Sequence, residues 1–71
     1  MELMETANAI RQYLATSDVA PLEKEINIMI KQFFFSPEEV VDEFHFAGQK
    51  WFGDDVAWEV EREVQSLLER G

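Results

Sequence analysis

Seventy-one residues make one domain at most, and a chain this short is marginally stable unless it packs well or a partner completes its core. It has no cysteine, which excludes disulfide staples and thiolate metal sites; no apolar run approaches the roughly 20 residues of a membrane span, and MELMETANAIRQ lacks the basic and apolar segments of a secretory signal. Fifteen acids against six bases give a formal net charge of −9, which opposes direct contact with a nucleic-acid backbone.

Leu3, Ala7, Ile10 and Leu14 follow the i, i+4, i+7, i+11 spacing of one helical stripe and predict a helix over 2–16. Thr16, Ser17 and Asp18 supply polar residues to end it and cap the next helix, with Pro21 tolerated in a first turn. Leu22, Ile26, Met29, Ile30 and Phe33 form a second stripe and predict a helix over 20–35. The stretch SPEE is the clearest local signal. Ser36 can cap, Pro37 suits the first helical position, and Glu39 completes an S-x-x-E capping box. The helix that follows, over 37–52, carries Val40, Val41, Phe44, Ala47, Trp51 and Phe52 on one face. Gly48 lies on that face too, where it would let a neighbouring helix approach closely. Gly53 ends the third helix. Asp54 or Asp55 is expected to cap a fourth over 55–70, whose stripe is Val56, Ala57, Val60, Val64, Leu67 and Leu68.

No strand signal interrupts this series. The predicted fold is therefore all-α: a compact bundle of three to four short antiparallel helices. Completion of the core by homodimerisation fits the pattern equally well.

Several large apolar residues miss their own stripes when positions are placed 100° apart. Phe46 falls near Glu39 and Lys50, and Trp58 beside Arg62, Gln65 and Glu69. Ile28 and Phe35 point opposite to Ile26, Met29 and Phe33, which a helix covered on both sides would also explain. Phe34 lies between the two sides. Aromatics anchor interfaces, so Phe46 and Trp58 are the candidate anchors, with Phe35 and Ile28 beside them. Asp54, Asp55, Glu59 and Glu61 form a candidate acidic rim. Residues 36–71 hold ten acids and three bases, so the charge is concentrated in that half.

Catalytic patterns are absent. There is no phosphate-binding glycine loop, no nucleophile elbow and no HExxH pair. The helix after Gly53 begins DDVAWEVERE, five acids and one arginine, the wrong balance for a DNA-recognition helix. Asp42 and His45 are three apart on one helical face, as are the Glu-x-x-His ligands of di-iron bundles. Those sites need two such motifs and two further carboxylates. Here one motif is present, with Asp for Glu and a single histidine in the chain, so a metal would require a second copy from a symmetric dimer. The expected reading of the pair is a solvated helix face.

These observations predict a non-enzymatic, cytoplasmic, homodimeric interaction protein without cofactor or metal. It would bind and regulate or inhibit another protein that offers a basic or apolar groove, with no contact to nucleic acid or membrane. Two alternatives remain: an acidic surface that imitates a nucleic acid and occupies a basic groove, and the dimer-templated metal site.

Overall fold

The computed structural model describes residues 3–70 as four α-helices: α1 (Leu3–Thr16), α2 (Ala20–Gln32), α3 (Pro37–Phe52) and α4 (Asp54–Arg70). They form a compact all-α bundle of 26 × 22 × 16 Å. Position 2 of the first predicted helix lies outside the described residues. Among the described residues no helix is long and apolar enough to cross a membrane.

The core is drawn mainly from the predicted stripes, joined on α1 by Ala9; the side chain of Leu3 lies outside those described. α1 contributes Ala7, Ala9 and Ile10, and α2 contributes Leu22, Ile26 and Met29. α3 adds Val40, Phe44 and Ala47, while α4 adds Ala57, Val60, Val64 and Leu67. Phe44 is the largest fully buried side chain. Burying one phenylalanine of this kind contributes about 1.5–3 kcal/mol. The α3–α4 pair shares the most extensive interface; α1 packs on α2 and α3, and α2 also touches α4.

Each junction has a local cause. Ser17 adopts the left-handed conformation (φ 59°), and its N–H donates to the Tyr13 carbonyl at 2.7 Å, closing α1. Asp18 Oδ1 then accepts from the Ala20 N–H at 3.0 Å as α2 begins. The capping box forms as predicted: the Glu39 N–H donates to Ser36 Oγ (3.3 Å) and the Ser36 N–H to Glu39 Oε1 (3.0 Å).

α3 and α4 are joined by Gly53 alone. Its φ of 104° with ψ of 172° belongs to a region that glycine enters and other residues avoid. Its N–H donates to the Gly48 carbonyl at 3.0 Å. Gly48 packs directly on Ala57; a Cβ there would lie 2.9 Å from the Ala57 Cα. That approach lets the helices run antiparallel at close range, with His45 meeting Glu61 three to four residues further along each.

Four expectations are corrected. α2 ends at Gln32 rather than at 35, because Phe34 takes the left-handed conformation (φ 57°) and the Phe35 N–H turns back to the Met29 carbonyl. α4 starts at Asp54 rather than 55. Neither aspartate is the cap, since Gly53 occupies the preceding position and both carboxylates lie inside the first turn. Leu14, Phe33 and Trp51 are exposed by 39%, 42% and 47%, although each continues a core stripe. All three sit in the last turn of a helix or just beyond it, where the stripe runs past the core layer.

Candidate functional site

The outer face of the α3–α4 pair combines an exposed tryptophan with a groove lined by apolar and acidic side chains. Side chains three and four apart share a helix face. On α3 the sequence Glu38, Val41, Asp42, His45 makes one such row, and on α4 Trp58, Glu61, Gln65, Leu68 and Glu69 make the facing one. Because the helices are antiparallel, His45 lies against Trp58 and Glu61. The imidazole and indole rings meet edge to face, with centroids 4.8 Å apart and planes at 71°. His45 Nδ1 lies 3.0 Å from Glu61 Oε1, an ion-pair distance, but the approach does not meet hydrogen-bond geometry and leaves Nδ1 sealed without a bonded partner.

Beyond that cluster the two rows open into a shallow groove of about 550 Å³, lined by Pro37, Glu38, Val41 and Asp42 from α3 and by Gln65, Leu68 and Glu69 from α4. Val41 and Leu68 are half-buried and supply an apolar floor, while Glu38, Asp42 and Glu69 are exposed on its walls. The result is a strip with an aromatic head, an apolar floor and carboxylate walls. Trp58 is 59% exposed despite its contact with His45. An indole held by one neighbour and open on the other side has the form of an interface anchor.

The predicted contact residues do not converge on one patch. Trp58 and Glu61 belong to the strip. Phe46 is 54% exposed on α3 but is not part of the groove. Phe35 is half-buried against the core, its ring 6.2 Å from that of Phe33. Ile28 is half-buried and lines a separate groove between α1 and α2. Asp54 and Asp55 are exposed at the start of α4, and Asp54 Oδ1 accepts a hydrogen bond from Gln49 Nε2 at 2.9 Å across the turn. Glu59 is exposed on α4; burial raises the Tyr13 phenol pKa, and the charges of Glu63 and then Glu59 raise it further.

Asp42 and His45 share a face, as their spacing requires, yet His45 is engaged with Glu61 and Trp58 across the helix pair. Among the described residues no three His, Asp or Glu side chains are grouped to hold a metal ion.

Two features went unread in the sequence. Phe34 is 85% exposed, the most exposed large apolar side chain among the described residues. The signal was present: three phenylalanines precede a capping box whose first residue must be extended, so the helix had to end among them. Glu25 is 7% exposed, and its Oε1 has no hydrogen-bond partner. It falls three after Leu22 and four before Met29, so periodicity already placed a carboxylate on the buried stripe.

No protein-family model, curated protein or solved structure matches this chain.

Proposed function

We propose that this chain is a small non-catalytic binding module that docks a basic, partly apolar segment of another protein along the outer α3–α4 face. Trp58 is the anchor, Val41 and Leu68 supply the floor, and Glu38, Asp42, Glu61 and Glu69 meet the partner's positive charge. The observation that carries this reading is Trp58, 59% exposed and braced on His45, on the same pair of helices whose further turns line an acid-walled groove. Charge supports the same choice, because a chain with a net charge of −9 favours encounter with basic partners. A regulatory or inhibitory role in the cytoplasm, with no cofactor, belongs to the same proposal.

The chain has two tryptophans, so Trp51→Phe leaves Trp58 as its sole indole reporter. That variant is titrated with a panel of amphipathic Lys/Arg-rich peptides while Trp58 emission is followed. Saturable binding is expected for peptides that combine basic and apolar faces. Truncating Trp58 to alanine, with binding then read from a label on the peptide, is expected to weaken it by about 2 kcal/mol or more, about 30-fold in Kd. Equal binding by the folded alanine variant would sink the proposal. Binding that follows peptide charge alone and vanishes with salt would favour nucleic-acid mimicry over an aromatic anchor.

A further inference from the structure

We infer that the outer α3–α4 face carries its own proton switch: protonation of His45 engages Glu61 within the protein and releases a basic partner as the pH falls below neutrality. The inference rests on the docking proposed above and adds its regulation.

His45 is the only histidine of the chain. Imidazole is the side chain whose charge ordinarily changes between about pH 5 and 8. Its Nδ1 lies 3.0 Å from Glu61 Oε1, sealed from water and outside hydrogen-bond geometry. While the ring is neutral that contact is weak, because the angle is poor and only one partner is charged. The side chain is 25% exposed and Nδ1 is its sealed nitrogen, so a proton from water arrives at Nε2. The ring then holds a full positive charge at ion-pair distance, where the attraction depends on separation more than on angle. Glu61 is only 22% exposed, so salt screens this pair less than one on the open surface.

Few other charges face the ring. From α4 there is Glu61, with Arg62 exposed one turn beyond Trp58; from α3 itself there are Asp42, three residues earlier, and Glu38 a further turn away. α1 and α2 pack on the core stripe of α3, which holds Val40, Phe44 and Ala47, and His45–Glu61 is the only ion pair among the described residues. With His45 neutral, the face offers a Lys/Arg segment the carboxylates of Glu38, Asp42, Glu61 and Glu69. With His45 protonated, Glu61 is neutralised from within. A positive charge also stands beside the Trp58 anchor, the two ring centroids being 4.8 Å apart. Both changes disfavour a basic partner. Glu25, whose pKa burial raises, lies on α2 outside this face, and a His45 variant controls for it.

The test uses the full chain carrying Trp51→Phe, so that Trp58 alone emits. The probe is an amphipathic Lys/Arg-rich peptide without histidine, whose own charge is constant over the range. Emission of the free protein is followed from about pH 7.5 to about pH 5.5, and the Kd is read at both ends from a label on the peptide. A protonated imidazole quenches a neighbouring indole, so emission is expected to fall on acidification and to stay level in His45→Gln. Kd is expected to rise about three- to fivefold over the same range, the worth of one partly exposed charge contact, and to be constant in His45→Gln. His45→Asn repeats the comparison with a shorter neutral side chain, and far-UV circular dichroism checks that each variant is folded. A pH response that persists in the folded neutral variants would overturn the inference. A peptide bound equally at both pH values would overturn the switch and leave the docking intact. No binding at either pH would overturn the docking, and the release with it.

Discussion

Replacing Gly48 with alanine sets two effects of similar size against each other, and the structure decides the sign. Alanine is favoured over glycine in a helix interior by about 1 kcal/mol. Against that, the added Cβ would lie 2.9 Å from Ala57 Cα and 3.3 Å from Ala57 N. Both are main-chain atoms of the facing helix and cannot rotate aside. Restoring an ordinary carbon–carbon contact moves the helices apart by about 0.5–1 Å. The strain spreads to Phe44, Val60 and Val64, which the same pair of helices buries. Overpacking of a closed core costs about 1–3 kcal/mol, so the net effect is a loss of about 1 kcal/mol. For a chain of this size that lowers Tm by about 4–8 °C, measured by far-UV circular dichroism and checked by urea unfolding. Because Gly48 lies one turn from His45, the variant should also alter Trp58 emission. A Tm that rises would refute the close approach, since propensity alone would then govern the site. Gly53→Ala separates the causes. That position has open space around it but a φ of +104°, so its loss of stability comes from the backbone alone.

Phe34→Gly is expected to stabilise the fold by about 0.5–1 kcal/mol, despite removing an aromatic ring. The ring is 85% exposed and its residue sits at φ 57°, a conformation that costs a side-chain-bearing residue about 1–2 kcal/mol, less the extra chain entropy glycine loses on folding. A lower urea midpoint for the glycine variant would show that the ring carries contacts that outweigh this strain. Glu25 makes stability pH-dependent. Its folded pKa is raised, chiefly by burial and then by Glu5, so the folded state holds its proton longer than the unfolded chain. That contribution is complete below the ordinary glutamate value and is lost as pH rises through the folded value. Urea unfolding should therefore show Glu25→Gln gaining on the parent chain between about pH 4 and neutrality, and a constant difference across that range would refute the burial argument.

Much of the architecture was legible because the stripes of α1, α3 and α4 are regular and the SPEE signal is local. Ser36, Pro37 and Glu39 form their cap without help from the rest of the chain, so short-range rules sufficed. The end of α2 was not legible in that way. Wheel geometry continues through Phe33 and Phe35, whereas the chain turns at Phe34 into a conformation that bulky residues rarely adopt. The wheel angle of Trp51 points to the core, but the residue lies in the last turn of α3, where Lys50 Nζ rests 5.6 Å from its ring centroid. The strip on α3–α4 was half visible. Trp58 and Glu61 stood out by position, but their meeting with His45 depends on the register that Gly48 and Ala57 set between the helices, which one helix at a time does not reveal. Phe46 and Trp58 look alike on their wheels and neither lines the groove; only the register, which sets Trp58 against His45, separates them.

A footprint of a bound peptide on the ¹⁵N-labelled protein tests where the partner docks. The tightest amphipathic basic peptide of the panel is titrated in while backbone amides and the two indole N–H resonances are followed. Docking on the outer α3–α4 face predicts that the Trp58 indole shifts together with Val41, Asp42, His45, Gln65 and Leu68, and that the α1–α2 amides stay in place. An unmoved Trp58 indole, with shifts gathered instead around Phe46 or Phe34, would place the binding surface elsewhere on the molecule.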